Sequence, residues 1–410
     1  MLKTKVFKNG LVLLYEKNNV NNTDSFQVNV LTGSALETKK EYGINHLVEH
    51  LMFKASNKRT TREIAEELEK QGAVINAWTN YDNVRFYFDC LPEKLDKCAE
   101  VYADMLFNKN ISDSEFATEK NVVCQEIKMY EDNFAAKNET NYFEYFWNMK
   151  DIAGTVESVQ ALTKKQVMNF IKVRYVPANM IISVCSRLSF RKVQTIVKKY
   201  FNLNNPEKYL DLRKQWDKSF KHVHAGEISK KKEKTAQVQV LHVGRLNMDV
   251  SPVLQDYYLK LISGGLSSVL FKEIREKHGL CYGIAADSMI FYPTSLNKNQ
   301  GGLVFIQSSM EKKNLKKYLE LLPEVIKKLD TLLQDSDIER TVNAYKTRGS
   351  KSSYVASDMF FRYLNPQIHY YKNNFAKECK YIFKHKDKFA VNAIKDLKDI
   401  TWDVSILGNL

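Results

Sequence analysis

His46-Leu47-Val48-Glu49-His50 lies in an apolar frame of Ile44, Leu47, Val48, Leu51 and Met52. That spacing predicts a helix over about residues 44–54. The two histidines are four positions apart, so both imidazoles project from one helix face and can converge on one metal ion. Glu49 lies beside them and can take a proton from metal-activated water without being a ligand. The order H-x-x-E-H mirrors the commoner H-E-x-x-H arrangement. With 8 histidines in 410 residues, a chance match is on the order of one in a hundred. The alternative is a helix whose histidines make ordinary hydrogen bonds.

A catalytic zinc site needs a third protein ligand and an open position. Glu119 and Glu126 are seven residues apart and share one face of a helix that opens on the capping box Ser112-x-x-Glu115 and runs to about Tyr130. One carboxylate can ligate while the other orients a histidine from outside the coordination shell. Standing alone, the pair would read as two solvent-facing carboxylates.

Working outward, Leu11 to Glu16, Phe26 to Thr32, Val74 to Trp78, Val84 to Cys90 and Met180 to Cys185 read as strands. A helix opens on the capping box Thr60-x-x-Glu63 and stops before Gly72. Another covers Arg191 to Phe201. Residues Asn202 to Lys232 are polar, lysine-rich and weakly periodic, as a connection should be. A strand then restarts over Ala236 to Val243, and Phe26-Gln27-Val28-Asn29-Val30-Leu31 resembles Val238-Gln239-Val240-Leu241, each followed by a glycine and a helix. The chain ends in the strand-like run Trp402 to Leu407. The expectation is an α+β protein of two similar domains, each a mainly antiparallel sheet packed with helices. The boundaries are 1–204 for the metal-binding domain, 205–232 for the connection and 233–410 for the second domain.

Composition narrows the function classes. A hydrophobic share of 44% is that of a packed globular chain, and no apolar run approaches the roughly 20 residues that span a bilayer. Residues 1–18 are too charged for a secretory leader, so a cytoplasmic location is expected, with no membrane partner. Cys90, Cys98, Cys124, Cys185, Cys281 and Cys379 form no C-x-x-C pair and read as reduced, buried thiols. The net charge of +14 is spread along the chain among glutamates, with one dense block at Lys230-Lys231-Lys232-Glu233-Lys234. No nucleic-acid-binding motif accompanies it, so no nucleic-acid partner is expected.

On these residues the chain resembles the pitrilysin/insulysin family of zinc peptidases, particularly its short two-domain bacterial members. Glu126 follows His50 by 76 residues, and the family's glutamate ligand follows its motif by about 75. Asn9-Gly10-Leu11, Gly33-Ser34, Glu37, Gly43, Phe53-Lys54, Gly72-Ala73, Asn76-Ala77-x-Thr79, Ala161-Leu162-Thr163 and Pro177-x-Asn179-Met180 also match. The resemblance implies one Zn²⁺ per chain, with His46, His50 and Glu126 as ligands, Glu49 as general base and Glu119 behind the ligands. Asn76, Ala77, Trp78 and Thr79 resemble the edge strand onto which family members add substrate, where main-chain hydrogen bonds hold a peptide without reading its sequence.

In the second half, Phe271 to Tyr282 resembles the family's substrate-gripping segment. Arg275 would hold a substrate carbonyl, and Tyr282 would donate to the developing oxyanion. Read without the resemblance, they are a surface cation and a core aromatic. His222, His224, His242, His278, His369 and His385 have no ligand-like spacing and read as structural. The implied activity is zinc-dependent endopeptidase cleavage of short or unfolded peptides. The implied assembly is a homodimer with Arg275 and Tyr282 acting in trans, or else a related-subunit heterodimer. Two further readings stay open: a processing peptidase for a modified-peptide (bacteriocin-like) precursor, and a non-catalytic scaffold subunit.

Overall fold

A computed structural model describes residues 1–19, 21–212, 223–246, 252–289, 303–349, 351–364 and 375–410. The first half runs β1 (Lys3–Val6), β2 (Val12–Lys17), β3 (Asp24–Val30), α1 (Ile44–Met52), α2 (Thr61–Lys70), β4 (Val74–Thr79), β5 (Val84–Cys90), α3 (Leu95–Phe107), α4 (Asp113–Asp132), α5 (Phe134–Trp147), α6 (Val156–Ala161), α7 (Lys164–Arg174), β6 (Met180–Ser186) and α8 (Phe190–Tyr200). The second runs β7 (Ile228–Lys232), β8 (Val238–Arg245), α9 (Pro252–Ile262), β9 (Gly283–Met289), β10 (Leu303–Met310), α10 (Leu315–Lys327), α11 (Leu329–Leu332), α12 (Asp335–Gly349), α13 (Ser352–Leu364), α14 (Phe375–Lys384), α15 (Lys386–Lys398) and β11 (Trp402–Gly408).

The first sheet has the order β1-β2-β6-β3-β5-β4, and the second β7-β11-β8-β10-β9. Leaving out β1, the two orders superimpose strand for strand, with β3 on β8 and β4 on β9. Each sheet carries one parallel pair, β2 with β6 and β7 with β11, among antiparallel ones. The short likeness between residues 26–31 and 238–241 therefore marks equivalent strands of a repeated α+β unit. Ile228–Lys232, read from its lysines as the end of the connection, is the second unit's counterpart of β2. Its solvent-facing lysines cover an edge, where like charge discourages further strand pairing.

The strand patterns follow from what covers each face. In β2 and β6 nearly every residue is buried, and so they read as unbroken apolar runs. One face packs with α1, α3 and α8 in the main core. The other meets α13, through Val12, Leu14 and Ile181 against Ala356, Met359 and Phe360. That helix belongs to the second half of the chain. In return α5, from the first half, covers the second sheet, with Tyr142, Phe143 and Phe146 against Leu241, Val243 and Phe305. Strand β4 is an edge, and its residues alternate between exposed and covered.

Exchange of α13 has a measurable consequence. Phe360 is fully buried, and Phe360→Ala should cost about 3–5 kcal/mol. Amide hydrogen exchange should show protection falling in β2, β3 and β6 and holding in β8 and β10. Loss confined to the second sheet would contradict this packing.

Candidate metal centre

Helix α1 carries the motif on nine residues, with Ile44, Leu47, Val48, Leu51 and Met52 buried in the core and the two histidines turned to the other side. It stops at Met52 rather than near Lys54, where the Phe53 and Lys54 N–H groups tighten to bonds with the His50 and Leu51 carbonyls three residues back. Gly43 precedes the helix at φ +85°, and a Cβ there would lie 2.6 Å from the Ala153 carbonyl oxygen. Only glycine fits this entry. Helix α4, opened by its Ser112/Glu115 capping box, packs across α1. Its Glu119, Val123 and Glu126 fall on one face.

These two helices bring His46, His50 and Glu126 together. One donor atom from each lies within 4.8 Å of the others, and this is the one such group among the described residues. His50 Nε2 is 3.1 Å and His46 Nε2 3.8 Å from the Glu126 carboxylate. Two imidazoles and one carboxylate, partly open to solvent, suit a zinc ion with a free position. Behind them, His50 Nδ1 lies 3.1 Å from Glu119 Oε1, and Lys54 Nζ is 2.6 Å from Glu119 Oε2. That carboxylate fixes the His50 ring with Nε2 toward Glu126. His46 Nδ1 is buried without a hydrogen-bond partner among the described residues.

Protonation follows from these contacts. Burial, together with the neighbouring His50, pulls His46 down to about 4, so it is a neutral donor at neutral pH. Burial also acts to lower His50, but hydrogen bonds to Glu119 and Glu126 outweigh it and hold the ring up at about 9. Glu126 is kept low chiefly by its bond to His50. In Glu119, burial is overcome by His50 and Lys54, and the carboxyl is also low. Glu49 is different. Burial raises it despite a hydrogen bond from the Thr79 hydroxyl. A carboxylate with its pKa raised beside two imidazoles is suited to accepting and returning a proton.

Asn76, Ala77, Trp78 and Thr79 all lie on β4, beside α1. The strand pairs with β5 on one side and with no strand on the other among the described residues. Trp78 is 55% exposed, with the Arg85 guanidinium 5.8 Å from its ring centre. Thr79 was expected only as part of a substrate edge, yet its hydroxyl also holds Glu49.

Arg275 lies in the short π-helical segment Phe271–Glu276, and its guanidinium stacks on Phe271 and Tyr282, 4.4 and 5.2 Å from the ring centres. Tyr282 is 80% exposed, so the reading of it as a core aromatic does not hold. It precedes β9, the second sheet's counterpart of β4. His242 is buried in the second core, where burial lowers it to about 4, and His224 stacks on Tyr145. His222 and His369 lie outside the described residues. All six cysteines are buried and free of disulfides. No described helix is long and apolar enough to cross a membrane.

Sequence reasoning missed Lys109, whose buried ammonium donates to the carbonyls of Leu51, Met52 and Lys54 at 3.2, 2.7 and 2.5 Å. Nothing in a lysine more than fifty residues from the motif signals this. At the other end of α1, Glu37 accepts from the Gly43 and Asn45 N–H groups and from Asn45 Nδ2, at 2.8, 2.9 and 2.9 Å. It had appeared only as a matching letter.

Comparison with known proteins identifies the family. Residues 12–158 match the family model described as insulinase (peptidase family M16), and residues 161–345 match the peptidase M16 inactive domain. The chain belongs to the M16 (insulinase) family of peptidases. It is 27% identical over 385 residues to a protein of Rickettsia felis described as an uncharacterized zinc protease, covering 88% of each chain. It is 29% identical over 295 residues to a Bacillus subtilis protein described as uncharacterized zinc protease YmxG, covering 69% of each. Over 197 residues it is 28% identical to a probable mitochondrial-processing peptidase subunit beta of Arabidopsis thaliana, covering 47% of this chain and 37% of that protein. In fold it matches the crystal structure of a Helicobacter pylori protease with a TM-score of 0.79 at 20% identity, covering 100% of this chain and 99% of that one.

The charge on His50 makes a prediction about metal uptake. Its raised pKa means the protonated ring stabilises the metal-free fold fully below about 6.5, and this stabilisation is lost as the pH rises through about 9. A metal must displace that proton, whereas His46 has none to lose. Zinc binding at pH 7 should release about one proton, read by titration calorimetry in buffers of different ionisation enthalpy. In His50→Gln that release should vanish. Binding with no proton release by the wild type would contradict the assignment.

Proposed function

We propose that the protein is a zinc-dependent endopeptidase acting on short or unfolded peptides, with one Zn²⁺ per chain held by His46, His50 and Glu126. The observation that carries the reading is the convergence of these three donors beside Glu49, a buried carboxylate with its pKa raised. The relatives described as zinc proteases support the choice of metal. When bound there, zinc supplies a Lewis acid that polarises a peptide carbonyl and acidifies water.

The chain's own residues do the rest. The free edge of β4 holds an extended peptide by main-chain hydrogen bonds and sets its carbonyls in register beside α1. Glu49, held in place by Thr79, takes the proton from the attacking water and returns it to the departing amine. Glu119 keeps the His50 ring oriented and carries the countercharge of Lys54. Arg275 and Tyr282 grip the substrate carbonyl and donate to the developing oxyanion. They act across a homodimer on the partner's centre, which the exposure of Tyr282 and its place beside the edge strand β9 support. The likeness to a mitochondrial-processing peptidase beta subunit favours, as a second reading, a processing enzyme that cuts one bond of one precursor.

Glu49→Gln should bind zinc as the wild type does and lose turnover of an unstructured peptide by about a hundredfold or more. Tyr282→Phe should also lose most activity, and mixing the two variants under subunit exchange should recover part of it. Full activity in Glu49→Gln would overturn the mechanism, and no recovery on mixing would overturn action in trans.

A further inference from the structure

Helix α1 is short for the work it carries. His46 is its third residue and His50 its third from the end, so both imidazoles hang from terminal turns. In those turns the first N–H and last C=O groups have no partner within the helix. A helix of nine residues does not hold itself together in water. Gly43 offers no side chain to cap it. Order at the two ends must come from outside, and each end meets one polar side chain that supplies hydrogen bonds its orphan groups lack.

At the N-terminus that side chain is Glu37. One carboxylate oxygen takes the Gly43 N–H, and the other takes both the backbone and the side-chain N–H of Asn45, the residue before His46. Asn45 Oδ1 in turn accepts from the Thr32 hydroxyl, two residues beyond β3 and 2.9 Å away. At the C-terminus it is Lys109. Its three N–H bonds match the three carbonyls it faces, and the first belongs to Leu51, the residue after His50. Lys109 is 8% exposed and has no salt bridge among the described residues, so these carbonyls are its partners. Glu37 comes from the segment before α1, and Lys109 from the turn between α3 and α4. The helix is therefore tied to the sheet at one end, and at the other to the chain that leads into the Glu126 helix.

We infer that Glu37 and Lys109 are positioning residues for the metal centre: two side chains whose hydrogen bonds clamp opposite ends of α1 and so fix the separation of the His46 and His50 donor atoms. Neither touches metal or substrate. The inference rests on the zinc assignment above. It goes beyond it in tying metal affinity to residues that supply no ligand atom.

Lys109→Met keeps the side chain's length and apolar stem but removes the donors, and Glu37→Gln replaces one acceptor oxygen with a donor facing the Gly43 N–H. Each should weaken zinc binding about tenfold or more, read by chelator competition. In zinc-saturated protein each should lower kcat and leave KM within about twofold, because the peptide-binding strand is untouched. The visible spectrum of the cobalt-substituted variants should shift as the ligand geometry relaxes. Asp24→Asn serves as the control. Asp24 is buried at the far end of β3, holding the Arg187 N–H and the Ser186 hydroxyl, so its loss should lower stability without changing zinc affinity or the cobalt spectrum. Wild-type zinc affinity in both clamp variants, or zinc loss only in step with global unfolding, overturns the inference. Zinc affinity is read without turnover, so a wild type that binds zinc but cleaves nothing fails the peptidase reading and not this one.

Discussion

The contact on which everything else depends is the crossing of α1 and α4. Two imidazoles one helical turn apart must meet a carboxylate borne 76 residues further along the chain, and a displacement of about 1 Å at that crossing would undo the site. The protein secures it with charge as well as with packing. Glu119 sits between His50 and Lys54, so the second carboxylate of α4 is bound to the same helix that Glu126 faces. Buried ionic groups of this kind add little net stability, but breaking one partner leaves an uncompensated charge, which makes wrong arrangements expensive.

The same economy appears in the architecture. Two α+β units of equal strand order each lend the other a helix, α5 in one direction and α13 in the other. Neither sheet could bury both faces using its own half of the chain alone. This explains why β2 and β6 are apolar throughout and why α13 carries Ala356, Met359 and Phe360 along one side. The exchange couples the unit holding His46, His50 and Glu126 to the unit holding Arg275 and Tyr282 without placing those two residues in the first unit.

Much of this was legible in the residues. Strands β2 to β6, both capping boxes and the α1 helix rest on local rules of periodicity and end-capping, and such rules need no tertiary information. The repeat was legible in one strand pair, β3 with β8, because strands buried alike keep like residues. That His46 and His50 share a face was legible because helical spacing converts directly into shared faces, whereas Glu126 was picked out from Glu119 by the family resemblance. What escaped depends on long-range contacts. Ile228–Lys232 reads as the end of the connection, since an edge strand exposed on both faces has no alternation to betray it. Lys109 reads as one of many surface lysines, because burial against carbonyls leaves no mark on its neighbours in sequence. Thr79 reads as part of an edge strand, and its bond to Glu49 depends on how α1 lies against β4.

The central claim is that a single zinc ion is bound by two histidines and a carboxylate, and zinc-edge X-ray absorption of the metal-loaded protein tests it most directly. A first shell of nitrogen and oxygen alone at about 2.0–2.2 Å, with the outer-shell scattering of two imidazoles, is the expected result. A sulfur shell near 2.3 Å would instead place the ion on cysteines that the fold buries, and would contradict the account.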